Sequence, residues 1–196
     1  MSIVLLSGVA IAGARRMPAV NVNQLTPTAV VDSARGWNER LARFRANLPP
    51  ETELTGGRAS RDELVAAFIE AVEANDTALI RSLAITKAEF GYLYYPTTPQ
   101  AHPPYDLDPA LMWLTMFEHS NRGAGRLFAV AGGRSLDFEG YSCPPDASHE
   151  GDNIIWGPCT VRVRNPSGDM VDARLFSLII ERAGTYKFLS LSNKLD

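Results

Sequence analysis

The stretch "ARLFSLIIERAGTYKFLSLS", Ala173 to Ser192, decides the fold. Its two halves are runs of aliphatic and aromatic residues, and Ala183-Gly184 between them is a tight-turn pair, so it reads as two strands of an antiparallel hairpin. Upstream, "NIIWGPCTVRVR" (153–164) reads as another strand, with Gly157-Pro158 marking a bulge or an edge and Val161 and Val163 alternating with Arg162 and Arg164. Asn165-Pro166-Ser167-Gly168-Asp169 is a turn, and Leu136, Phe138 and Tyr141 belong to a strand before it. Strands joined by short turns imply an antiparallel meander.

The sequence before residue 135 has helical spacing instead. Ser60-Arg61-Asp62-Glu63 has the form of a capping box and opens a helix whose apolar face is Leu64, Ala67, Phe68, Ala71 and Val72. Asn75 suits a turn and Asp76 caps a second, short helix; Thr86 to Glu89 repeats the box and leads one more turn into "EFGYLYYPTTPQAHPPYD", 89–106. Asp108-Pro109 is a strong helix start. The run Leu111 to Phe117 is nearly all apolar, which predicts a mostly buried helix, broken at Gly123 and Gly125 and resumed over 126–131. Helices first and strands after give an α+β domain over 60–196, with helices packed on a curved C-terminal meander.

Residues 15–59 read as an arm: an extended stretch, a helix over 28–48 with Val31, Ala34, Trp37, Leu41, Phe44 and Leu48 on one face, and a linker after Pro49-Pro50. Ahead of it, "IVLLSGVAIAGA" (3–14) is uncharged, with Ala10-Ile11-Ala12 and Ala12-Gly13-Ala14 in the small-x-small form of a cleavage site, so 1–14 reads as a signal peptide of an exported, periplasmic or secreted protein. No Lys or Arg precedes the run; an initiation site upstream of Met1 would supply one. Cys143 and Cys159 are expected to pair across neighbouring strands, which suits an oxidising compartment.

The 196 residues are 45% hydrophobic and 21% charged with a net charge of −3, and the cations are scattered, which argues against a nucleic-acid surface. No apolar run reaches the roughly 20 residues of a membrane-spanning helix. Neither C-x-x-C, H-E-x-x-H, G-x-S-x-G nor a P-loop is present, so no metal or cofactor is expected.

The helix pair "LVAAFIEAVEANDTALIRSLA", Leu64 to Ala84, and the closing strand pair "LFSLIIERAGTYKFLSLSNKL", Leu175 to Leu195, resemble the NTF2-like, or cystatin-like cone, superfamily. Helix, Asn-Asp turn, second helix and a final hairpin with Gly-x-Tyr/Trp-Lys are typical of it, whereas the segment 87–133 is longer and more helical. The resemblance implies a curved sheet wrapped by helices around a conical pocket, in an exported bacterial-type member. Members use the cone for isomerases, dehydratases, ligand binding or subunit contacts, so the fold does not settle function. Where isomerase-like members carry a tyrosine in the first helix and an aspartate base, this chain has Phe68 and Tyr95, so no catalytic residue carries over.

Read from the residues themselves, Tyr92, Tyr94 and Tyr95 cannot share one helical face, and with Tyr105 and Trp113 they are the candidate rim of a pocket for a small apolar ligand. The bland alternative is that they pin an irregular loop onto the core. His102 with Asp106, and Glu118 with His119, are the candidate acid–base groups. Asp146, His149, Glu150 and Asp152 make an oxygen-rich loop that reads as solvated. The sequence favours a non-catalytic protein that holds a small apolar molecule or a partner. The alternatives are an acid–base enzyme of isomerase or dehydratase type, and an interaction module, possible as a homodimer.

Overall fold

The computed structural model describes residues 36–165 and 167–194. The expected signal peptide at 1–14, the arm up to residue 35 and the first turns of the helix at 28–48 lie outside the described residues. The rest of that helix is α1, Trp37–Arg45. It is followed by α2, Arg61–Glu73, and α3, Thr77–Leu83. The short α4, Lys87–Glu89, runs on into a π-turn, Phe90–Tyr94, and the long α5 is Pro109–Ala131. Seven strands then alternate with short turns: β1 Gly140–Ser142, β2 Ser148–Glu150, β3 Asn153–Trp156, β4 Thr160–Arg164, β5 Met170–Ala173, β6 Leu178–Arg182 and β7 Thr185–Ser190.

Every strand pair is antiparallel, but the strands form two sheets, β1-β4-β5 and β2-β3-β6-β7, rather than one meander. A single long hairpin serves both. The chain leaves β3 for β4 at Gly157-Pro158 and comes back from β5 to β6 through residues 174–177, where the Cys159 N–H still donates to the Ser177 carbonyl at 3.3 Å. The change of sheet has a local cause. Pro158 has no N–H for a ladder, and Gly157, at φ 130°, lies so close to the Ser177 carbonyl that a side chain would collide with it. Cys143 and Cys159 are disulfide-bonded, one register step beyond the last β1–β4 pair, Ser142 opposite Thr160.

The β2-β3-β6-β7 sheet is buried on both faces. Successive side chains of a strand point to opposite sides. Accordingly Ile179 and Phe188 join one core with Leu64, Phe68, Val72 and Leu83, while Ile155, Ile180 and Leu189 join a second with Leu41, Phe44, Phe90 and Tyr95. This explains why β6 and β7 read as nearly continuous apolar runs. The first core centres on Phe68, Phe176 and Phe188, with ring centroids 4.8–5.3 Å apart.

The helix starts follow the sequence closely. Asp76 and Asp108 each accept from two backbone N–H groups, and Thr86 with Glu89 forms a complete capping box. At α2 the Ser60 hydroxyl accepts from the Glu63 N–H at 3.1 Å, but the Glu63 carboxylate turns to the Ala59 N–H instead of closing the box. Two expectations for α5 fail. The helix runs unbroken through Gly123 and Gly125. Gly123 is a contact point: a Cβ there would overlap the Leu191 carbonyl oxygen and come within 3.0 Å of Ser192 Cα. Nor is α5 mostly buried: Leu111 is 57% exposed, Leu114 54% and Phe117 44%. Its first half is apolar all round, more than one core can cover.

Candidate functional site

A cleft of about 770 Å³ lies between the C-terminal half of α5 and the β1-β4-β5 sheet. Leu127 is one of only three buried residues of α5 and enters it from the helix. Gly132 ends the helix and Gly133, at φ 76°, turns the chain so that its N–H reaches the Val72 carbonyl. That turn lays Arg134, Ser135 and Leu136 along β4. Leu136 is fixed at both ends: its N–H donates to the Glu73 carboxylate at 2.6 Å and its carbonyl accepts from the Arg164 N–H at 2.8 Å. On the sheet side, Val163 opposes Val171, and Leu175 follows in the return segment.

The lining grades from dry to charged. Leu127, Leu136, Val163 and Leu175 are buried and belong to the first core, whereas Val130, Arg134, Arg164, Asp172 and Lys194 are exposed at the margin. Two of the charged groups are already engaged. Arg164 pairs with Asp137 at 2.6 Å and donates to the Gly168 carbonyl; the same guanidinium, with Ser135, holds the Asp137 carboxyl below the ordinary carboxylate range. Asp172 lies 3.5 Å from Arg162. Arg134 and Lys194 have no ion pair among the described residues. No histidine lines the cleft, and Asp172 is its one carboxylate.

A smaller cleft of about 260 Å³ lies between α3, α5 and β7, lined by Trp113, Met116, Phe117, Phe128 and Phe188. Trp113 is the one expected rim residue that lines a described cleft, and it stacks on Phe117 at 5.5 Å. None of the four tyrosines expected with it lines this cleft. Tyr95 is fully buried and its hydroxyl donates to the Leu107 carbonyl at 2.7 Å. Tyr94 is buried too, and burial pushes its hydroxyl up to about 12 despite the bond from Thr98. Tyr92 lies under the Arg45 guanidinium, 4.5 Å from the ring centre, and Tyr105 is 63% exposed. The fold brings four of the five together at the second core, where Tyr94, Tyr95 and Trp113 each meet the Phe90 ring and Tyr92 packs at the margin, but Tyr94 and Tyr95 are buried there rather than exposed on a rim, and Tyr105 is not among them.

The acid–base candidates are separated in the same way. His102 stacks on Trp37 at 5.5 Å and its Nε2 lies 2.9 Å from the Pro96 carbonyl. Asp106 pairs with Arg40 of α1, a contact from the arm. Glu118 and His119 are both exposed on α5. In the oxygen-rich loop, Asp152 pairs with Arg182 at 3.0 Å; Glu150 is buried, which pushes its carboxyl upward and leaves one oxygen without a partner. No group of three or more His, Cys, Asp or Glu side chains able to hold a metal occurs among the described residues.

Sequence reasoning missed one buried ionic pair. Lys187 of β7 donates from Nζ to both Glu89 oxygens, at 2.8 and 3.0 Å, and to the Thr55 carbonyl at 2.8 Å. Glu89 also accepts from the N–H groups of Thr55 and Thr86, at 2.7 Å each. Burial pushes the Glu89 carboxyl up, but Lys187 and these two N–H groups outweigh it and hold the group below its ordinary range. All three ammonium protons are used, so the pair is structural and has no valence left for a substrate. A lysine in the middle of an apolar strand was the available signal.

No helix among the described residues is long and apolar enough to cross a membrane. Comparison with protein-family profiles, with curated proteins and with solved structures found no match to this chain.

Proposed function

We propose that this protein binds a small, largely apolar molecule without transforming it, in the cleft between α5 and the β1-β4-β5 sheet, within an NTF2-like arrangement of early helices over late strands. The observation that carries the reading is the cleft's size and gradient: about 770 Å³, within the usual range of roughly 300–1,000 Å³ for ligand sites, with a floor of four buried aliphatic side chains. Acid–base chemistry finds little support here, because the one carboxylate of the lining faces Arg162. The test is titration with an uncharged environment-sensitive fluorophore such as N-phenyl-1-naphthylamine. Binding should be saturable, and Ala173→Trp, which fills the cleft, or Val130→Glu, which charges its exposed wall, should weaken it about tenfold or more. Equal binding by the wild type and both variants, all with unchanged near-UV circular dichroism, would remove the cleft from consideration.

The Cys143–Cys159 disulfide supports function in an oxidising compartment, in keeping with the leader read at 1–14. Mass spectrometry of the native protein should find a new N-terminus between Ala12 and Arg15; an intact Met1 contradicts export.

The second reading, an interaction module, is favoured by one observation: Leu107, Leu111, Leu114 and Phe117 expose a continuous apolar strip along the start of α5. Its specific form is a homodimer through this strip. Light scattering should then give twice the monomer mass, reduced to one by Leu111→Ser with Leu114→Ser; a monomer at all concentrations ends that form.

A further inference from the structure

Resting on the binding reading above, we infer that the cleft takes a single-chain amphipathic anion, with its hydrocarbon tail on the buried floor and its charged head held by Arg134 and Lys194. The floor and margin differ in kind. Leu127, Leu136, Val163 and Leu175 present only carbon side chains and are buried, whereas the polar side chains of the lining, Ser135, Asn165 and the charged groups, are half-buried or exposed. The margin has three cations and one anion. Two of those four cancel against partners outside the lining, Arg164 with Asp137 and Asp172 with Arg162. Among the described residues, the charges at the mouth left without an ion-pair partner are therefore Arg134 and Lys194.

Neither of these two side chains is committed to the fold. Arg134 follows the helix-ending glycines and is anchored by its backbone, the N–H donating to the Ala131 carbonyl, while its side chain has no ion pair among the described residues. Lys194 is held in place through its backbone, by the bridge to Arg174. Both side chains are exposed at the cleft's edge. A guanidinium and an ammonium over an aliphatic trough match a carboxylate-headed chain, and they oppose a cationic amphiphile of the same length. A neutral chain would gain the floor but not the margin.

The test compares three probes of equal length, dodecanoate, dodecanol and dodecyltrimethylammonium, by isothermal titration on the full chain below their aggregation concentrations. Dodecanoate should bind at least about tenfold more tightly than dodecanol, the low end for a charged hydrogen bond, and the cation most weakly. Arg134→Gln with Lys194→Gln should bring dodecanoate down to the alcohol's affinity and leave the alcohol unchanged. Both positions are exposed and have no ion pair among the described residues, so the variant keeps the fold. Across octanoate, decanoate and dodecanoate, affinity should rise about fourfold per methylene, the equivalent of about 0.8 kcal/mol. If dodecanol binds as tightly as dodecanoate, or the double variant does not distinguish them, the anionic head is wrong while the apolar cleft stands. If none of the three probes nor the neutral fluorophore binds, the cleft reading falls with it.

Discussion

Gly123 illustrates how a residue can be legible in identity and misread in purpose. A glycine inside a helical pattern reads as a break because it lacks a side chain and costs helix stability. Its actual job is to let α5 meet the end of β7, where the Asn193 side chain donates to the Gly123 carbonyl at 2.6 Å and the Leu191 carbonyl occupies the space a Cβ would need. Gly123→Ala should therefore destabilise the protein by about 1–3 kcal/mol in denaturant unfolding, although alanine is the better helix former. Gly125 has open space around it, and Gly125→Ala should be neutral or stabilising. The Glu89–Lys187 pair makes a second prediction. Lys187→Met strands a buried carboxylate and should cost about 3–5 kcal/mol, whereas adding Glu89→Gln should restore part of the loss. The pH dependence has a definite sign. The folded Glu89 carboxyl titrates below its unfolded value of about 4.3, so its contribution is present above that pH and is lost as pH falls through the folded value. Glu89→Gln should flatten the acid limb of the stability profile, as measured by urea midpoints between pH 6 and pH 3.

Among the elements, the helix starts were the most readable, because an aspartate or threonine cap is a local hydrogen bond that owes nothing to the distant chain. The burial of α5 was not readable. Apolar residues on every side of a helix say that it favours dry surroundings, not that the fold supplies them, and α5 leaves Leu111 and Leu114 in solvent. β2 was hidden for the opposite reason: Ser148, His149 and Glu150 have no strand signature and pair only because β3 offers an edge. The cysteine pairing needed only that two strands be neighbours, and Cys143 and Cys159 continue the β1–β4 register. Closing a loop of 16 residues contributes about 3 kcal/mol in the chain-entropy account. Cys143→Ala with Cys159→Ala should lower stability by that order, and dithiothreitol should destabilise the wild type but not the variant.

At the scale of the molecule, the α+β class and the order of helices before strands could be read from the change in hydrophobic period near residue 135. The division into two sheets could not, since it depends on one close approach between Gly157 and Ser177, residues 20 positions apart. The candidate cleft was equally invisible: its lining comes from α5, a turn, β4, β5 and the C-terminal segment, and although Leu136, Val163, Arg164, Ala173 and Leu175 read as strand residues, nothing in their spacing says that they face one helix. Because the β2-β3-β6-β7 sheet is the shared wall of both cores, they should not melt separately. Trp156 packs against the first core and Trp37 and Trp113 against the second. Variants retaining Trp156 alone or Trp113 alone should give coincident guanidinium midpoints; separated midpoints would mean independent folding units.

That shared wall gives Lys187 a role in the assembly of the chain. Tyr186, Lys187, Phe188 and Leu189 alternate between the two cores, and only one position on the second face has a carboxylate waiting. If β7 threaded one residue out of step, an aromatic ring would be pressed against Glu89 and an ammonium group thrust among the phenylalanines of the opposite side. β7 thus carries its own proofreading mark, which penalises a misaligned pairing far more heavily than an all-aliphatic strand could.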